Sequence, residues 1–239
     1  EVHVGPRHLL NQFLSRTNNR RSDEFGGEES NRMRFPLQVL DAVRGEIGDD
    51  TCMGIRISAD EFAQGGLTLE DMCRIVPAIT ASVPVDFVNV SHSAYHGAYS
   101  LSTQMADMSF DPNSFRHLAP QIRKSLRVAG QGLPVMAVCK FRSIDEAEEL
   151  LNVGAVDLVG MARAHIADPA VVHKTYEGRT DEVRTCIGCN QGCAGFLEKG
   201  LPITCVVNPT VGKERFRPTE PIEDPAKAAK RVVVRSEED

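Results

Sequence analysis

The chain has 239 residues, 41% hydrophobic and 25% charged, a balance that excludes a disordered polymer and allows a sizeable buried core. Its formal charge of -6, with Lys and Arg scattered among acids, excludes the basic face needed to neutralise nucleic-acid phosphates. No apolar run approaches the roughly 18 residues of a membrane helix, so a soluble protein with no membrane or nucleic-acid partner is expected.

Along the chain, helical and strand patterns alternate from about residue 33 to 176. The opening EVH reads as a strand fragment, so the natural start is expected to lie upstream. Met33, Leu37, Leu40, Val43 and Ile47 recur at helical spacing, and residues 52–57 (CMGIRI) follow as a strand. Residues 69–79 are amphipathic, 85–90 (VDFVNV) form a strand, 115–128 a helix and 133–138 (LPVMAV) a strand. A helix with acidic first turns over 144–151 precedes the last clear strand, 156–160 (VDLVG). Near-continuous apolar strands between helices predict a parallel sheet in an α/β fold, and the absence of a reversal favours a β/α barrel, incomplete below eight strands. After Asp168-Pro169 come a short helix, a cysteine window and a Pro- and Glu-rich linker at 217–225. A last apolar run, Arg231 to Val234, could open another strand.

Four of the seven cysteines, Cys186, Cys189, Cys193 and Cys205, crowd into one window with the spacing Cys-x2-Cys-x3-Cys-x11-Cys. Thiolates two and three residues apart converge on one inorganic centre from a single turn of chain, and Gly188 and Gly192 allow close backbone approach. An iron-sulfur cluster is the favoured reading. A structural zinc is the alternative, although zinc ribbons usually supply two separated Cys-x2-Cys pairs; unliganded thiols rank last. Cys52, Cys73 and Cys139 sit in apolar segments and read as buried thiols, which together with the odd count suggests a reducing, cytoplasmic setting.

Charged residues at strand ends mark the candidate site. Arg56, in GIRIS, is costly within an apolar strand unless it points to the barrel mouth where active sites assemble; a salt-bridged strand end is the bland reading. Lys140 after LPVMAV and Arg163 in VGMARAHIADP fall at the last two loops, where such barrels commonly grip phosphate. His3 and His8 could donate to a carbonyl or act as acids near neutral pH, and His92, Tyr95 and His96 follow a strand end that could line a substrate pocket.

EVHVGPRHLLNQFLS, NNRRSDEFGG, NRMRFPLQVLDAVR, GIRIS, VGMARAHIADP and CIGCNQGC…CVVNP together resemble the Old Yellow Enzyme-like flavoproteins. More narrowly they resemble the subgroup of 2,4-dienoyl-CoA reductase, trimethylamine dehydrogenase and related amine demethylases, over residues 1 to about 212. The resemblance implies an FMN-binding β/α barrel over residues 1–178, a 4Fe-4S segment over 179–213, and at 214–239 a linker and the start of a further dinucleotide-binding domain for FAD or NAD(P)H. It places Arg56 at the flavin ring, Lys140 and Arg163 at the FMN phosphate, His3 at a flavin or substrate oxygen, and the four window cysteines on the cluster. It also implies an electron-transfer partner beyond the small-molecule substrate.

The departures are as informative. Members usually read E-(I/V)-H-x-A-(H/N)-G-Y-L at the start, and here Pro6 replaces the His or Asn that orients substrate while His8 replaces the proton-donating Tyr. Pro6 has no side-chain donor. The usual Gly-Gly-Ser-Leu-Glu-Asn stands as Gly26-Gly27-Glu28-Glu29-Ser30-Asn31, and Cys139 replaces a common Gly beside the phosphate. By the same resemblance the chain starts at the fourth barrel strand and stops as KRVVV leads towards a dinucleotide turn, so by itself it is expected to fold poorly and bind FMN weakly. Four functions stand open: oxidative demethylation of a small methylated amine, reduction of an unsaturated carbonyl or acyl-CoA, a zinc-binding interaction module, and an inactive truncated product.

Overall fold

The computed structural model describes residues 1–6, 8–95, 97–138 and 140–216. Five strands, β1 (Val2–Val4), β2 (Gly54–Ser58), β3 (Phe87–Ser91), β4 (Val135–Ala137) and β5 (Leu158–Val159), pair in parallel in chain order. A doubly wound sheet reverses its strand order at a switch point, whereas a barrel does not. The sheet is therefore part of a β/α barrel, as expected from the sequence.

Helices α1 (Leu9–Leu14), α2 (Glu29–Ile47), α3 (Leu69–Ser82), α4 (Gly97–Gln104), α5 (Leu118–Val128), α6 (Ile144–Asn152), α7 (Ala162–Ala167), α8 (Val171–Tyr176) and α9 (Ala194–Glu198), with a 3-10 turn at Thr180–Glu182, complete the described elements. The start of α3 is fixed by a capping box. Thr68 Oγ1 accepts from the Asp71 amide at 3.3 Å, and the Asp71 carboxylate accepts from the Thr68 amide at 3.0 Å. At α6, Ser143 Oγ accepts from the Glu146 amide at 3.2 Å.

The pleat divides each strand between two environments. Ile55, Ile57, Val88, Val90, Val135 and Ala137 are fully buried and share one core with Ile75, Val76 and Ile79 of α3 and Leu118, Ile122 and Leu126 of α5. The alternate positions form a single register row, His3–Arg56–Asn89–Met136–Leu158, on the other face of the sheet. In a barrel that face is the interior, so one row of mixed polarity is set apart from the helix-facing core. At the opposite end of the strands Arg44 stitches elements together, donating to the carbonyls of Pro84, Gly48 and Thr51 and to Asp86, whose carboxylate also accepts from the Met53 amide. That end is structural.

Several expectations need correction. The helix read from residue 115 begins at Leu118, because Phe115 turns into the core and stacks on His92. The strand read over 156–160 pairs only at Leu158–Val159. Cys52 is exposed, in the loop before β2 rather than in the strand, and Cys73 is half-buried at the α3–α5 seam; neither is the buried thiol expected. Cys139, His96 and residues 217–239, with the expected linker and the 231–234 strand, lie outside the described residues. Among the described residues no helix is long and apolar enough to cross a membrane.

Candidate functional site

The loops that follow the strands' C-terminal ends enclose two adjoining cavities. The larger, about 360 Å³, is lined by Arg56, Asn89, Met136 and Val138 from the strands, by Lys140 and Phe141 after β4, by Gly160–Arg163 after β5, and by Gln104 and Met105. The smaller, about 210 Å³, is lined by His3, Pro6, His8, Arg56, Ser91, Gln104 and Met105. Arg56 thus faces both cavities. Five of the sequence-predicted residues outside the cysteine window, His3, His8, Arg56, Lys140 and Arg163, therefore meet around one continuous mouth.

The cations here are poised rather than paired with acids. Arg56 Nη2 donates to Ser91 Oγ at 3.3 Å and, among the described residues, forms no ion pair, which removes the bland salt-bridge reading. Lys140 is buried, held at φ +58 in the left-handed region that side chains usually avoid, and donates to the Phe110 carbonyl. Burial lowers its pKa, with the guanidinium groups of Arg142 and Arg163 acting in the same direction. Cations that repel one another across a cavity favour an anion between them. Asn89 Nδ2 donates to Glu1 at 2.8 Å, leaving its buried Oδ1 with no donor among the described residues. An anionic, ring-bearing nucleotide such as FMN fits this donor and acceptor set. His3 and His8 sit edge to face, with ring centroids 4.0 Å apart. Burial lowers the His3 pKa, assisted by His8 and Arg56 against Glu1, which favours the neutral imidazole.

On the far side of Arg163, Cys186, Cys189, Cys193 and Cys205 line one small cavity together with Ile187, Asn190 and Gly192. Among the described residues no three Cys, His, Asp or Glu side chains close on a point that a single ion could occupy. The thiols ring a space instead. Gly188, at φ +70, donates its amide to Cys186 Sγ at 3.4 Å, and a Cβ on Gly192 would lie 2.7 Å from the Thr204 carbonyl oxygen, so this turn admits only glycine. Burial raises the Cys186 pKa, against the Gly188 amide and Arg163.

A polar hub holds both ends of this window. Asp168, fully buried, accepts from Lys174 Nζ at 2.7 Å and from the amides of Ala170 and Arg184. Burial raises its pKa, but those hydrogen bonds outweigh it and hold the carboxyl below its ordinary value. Arg184 Nη1 donates to Asn208 Oδ1 at 3.2 Å, and Asn208 Nδ2 donates to the Ile166 carbonyl at 2.9 Å. The residues before Cys186 and after Cys205 are thereby tied to the same α7 end.

His92, expected at the substrate pocket, is instead buried. It stacks on Phe115 with centroids 4.3 Å apart, and its Nε2 donates to the Thr103 carbonyl at 2.9 Å. Tyr95 stands one layer behind the mouth, its hydroxyl accepting from Gln104 Nε2. Sequence reasoning missed Gln104, Met105, Asn89 and Asn190. The alternation of β3 could have marked Asn89, whereas no local pattern marks the other three.

The structure thus presents a parallel β/α-barrel sheet with a cation-lined mouth at its strand ends, backed by a four-cysteine cavity. The model of the NADH:flavin oxidoreductase / NADH oxidase family matches residues 1–182, and the chain belongs to that family. It is 40% identical over 214 residues to the N,N-dimethylglycine/sarcosine dehydrogenase of Chromohalobacter salexigens, covering 90% of this chain and 30% of that protein. It is 36% identical to the NADH oxidase of Thermoanaerobacter brockii, covering 90% and 32%. Among solved structures, 2-naphthoyl-CoA reductase in complex with 2-naphthoyl-CoA superposes with a TM-score of 0.81 at 32% identity, covering 90% of this chain and 32% of that one. The chain therefore spans about a third of the length of these relatives.

Proposed function

We propose that this chain is the part of an FMN- and 4Fe-4S-dependent oxidoreductase that holds the flavin phosphate, the substrate pocket and the cluster, and that its substrate is a small N-methylated amine. The observation that carries the reading is the single cavity walled by Arg56, Lys140 and Arg163, with Arg163 also walling the four-cysteine cavity. A tetrahedral zinc with Zn–S bonds of about 2.3 Å would draw its sulfurs to within about 4 Å of one another. Four thiols that line one cavity, at the window's spacing, suit the core of a cluster. A reducing, cytoplasmic setting would keep them unpaired.

When bound, FMN would accept the hydride equivalent from the substrate and the cluster would pass electrons onward. Arg56 would face the flavin ring, and Lys140 and Arg163 would hold the phosphate. Oxidising an amine requires its nitrogen lone pair, so the substrate must first lose its ammonium proton. His3, kept neutral by burial beside His8 and Arg56, is suited to accept that proton in the smaller cavity. No proton donor is needed at position 8. The relative from Chromohalobacter salexigens, named for dimethylglycine and sarcosine, supports the amine. A second reading, reduction of an unsaturated acyl-CoA, draws on the 2-naphthoyl-CoA reductase likeness and on His8 standing where a proton donor would act. Anaerobic flavin spectra decide between them: a methylated amine should bleach the oxidised flavin and an enoyl thioester should leave reduced flavin bleached, whereas no bleaching by amines together with reoxidation of the reduced flavin by an enoyl thioester would overturn the amine reading.

A further inference from the structure

Arg163 is shared by two cavities, and one side chain fixes how it is shared. Its Nη1 donates to the Ala106 carbonyl at 2.8 Å and to Asn190 Oδ1 at 2.7 Å, which leaves Nε and Nη2 for the flavin-side cavity. Asn190 stands between Cys189 and Cys193 at φ +56, a conformation asparagine tolerates better than most residues. Its Nδ2 donates to the carbonyl of Met105, a residue that lines both mouth cavities. Its own carbonyl accepts from the Gly195 amide at 2.8 Å, at the head of α9. Gly188 packs on the same segment, its Cβ position 3.5 Å from the Met108 amide nitrogen. The cysteine turn and the flavin-side wall are thus one hydrogen-bonded unit with Asn190 at its centre.

We propose that Asn190 is a positioning residue that couples the two sites, so that filling the cysteine cavity orders Arg163 for the phosphate and filling the phosphate site secures the cysteine turn. The inference rests on the FMN and cluster assignments above. Neither ligand needs to touch Asn190. Losing the inorganic centre frees the turn that carries Asn190, Arg163 Nη1 loses its acceptor, and the fork must be ordered anew when phosphate arrives. Linkage makes the effect reciprocal and equal in both directions.

The test uses the purified holoprotein, with FMN removed and rebound while cluster content is varied by chelation. FMN affinity, read from flavin fluorescence, should fall about 5- to 10-fold when the cluster is stripped, and cluster loss to a chelator should slow when FMN is saturating. Asn190→Gly keeps the left-handed backbone without strain and should abolish both differences, while Asn190→Asp keeps the Arg163 acceptor and should retain them. Equal FMN affinity with and without the cluster in the unaltered protein would overturn the coupling alone, whether or not the variants fold. Failure to bind FMN, or absence of iron and acid-labile sulfide, would overturn the assignments it rests on as well.

Discussion

His92 shows how a residue's chemistry is set by where its side chain ends up. Its imidazole is lowered to about 4, chiefly by burial, with Arg56 and His117 acting in the same direction against the Thr103 hydrogen bond. Folding therefore favours the neutral ring. The associated stability is complete above pH 6.5 and is lost as pH falls from there towards 4, where the folded form also protonates; over that window it amounts to about 3 kcal/mol. Denaturant melts at pH 7 and pH 4.5 should show the protein losing about 2–3 kcal/mol more than His92→Phe; equal losses would contradict the assignment. His3 also has a lowered pKa, yet it lines the mouth. If it takes the substrate proton, the acid limb of kcat/KM for a methylated amine should break below pH 6.5, and His3→Gln should remove that limb. In the cysteine turn, Gly192→Ala drives a Cβ against the Thr204 carbonyl and should lower iron and sulfide content several-fold, with FMN bound more weakly but not lost.

At the scale of elements, the window's position depends on Asp168. Removing the carboxylate takes the counter-charge from Lys174, which keeps only the Glu182 carbonyl, and leaves the Ala170 and Arg184 amides without this acceptor, so Asp168→Ala should cost about 3 kcal/mol in a denaturant melt. A loss under 1 kcal/mol would mean that the hub is dispensable. Elements with a strong period were legible in the sequence: the apolar runs around Ile55, Val88 and Val135 became strands, and the amphipathic run from residue 69 and the acidic-headed run from residue 144 became α3 and α6. The short α1 and α4 were not, because α1 lacks a side-chain cap and α4 is mostly small and polar residues. Cys52 was misread because the strand begins only at Gly54, whose missing Cβ makes room for the Phe87 ring. Arg56, Lys140 and Arg163 could be singled out because charge at a strand end is conspicuous. Asn190 could not, because its role depends on Met105 and Arg163, 85 and 27 positions away.

For the whole molecule, the sheet's geometry sets what the chain can do alone. Among the described residues β1 pairs only with β2 and β5 only with β4, so both outer edges are free. The interior row from His3 to Leu158 has no opposing strand, and Leu158 is 43% exposed. The unpaired edges should make the chain prone to edge-to-edge association, read as concentration-dependent oligomers in size-exclusion chromatography. One chain that carries a flavin site and a cluster site sharing Arg163 should declare itself in metal, sulfide and flavin analysis of anaerobically purified protein. About four iron and four acid-labile sulfide per chain with FMN would bear it out; zinc without iron or sulfide would contradict it.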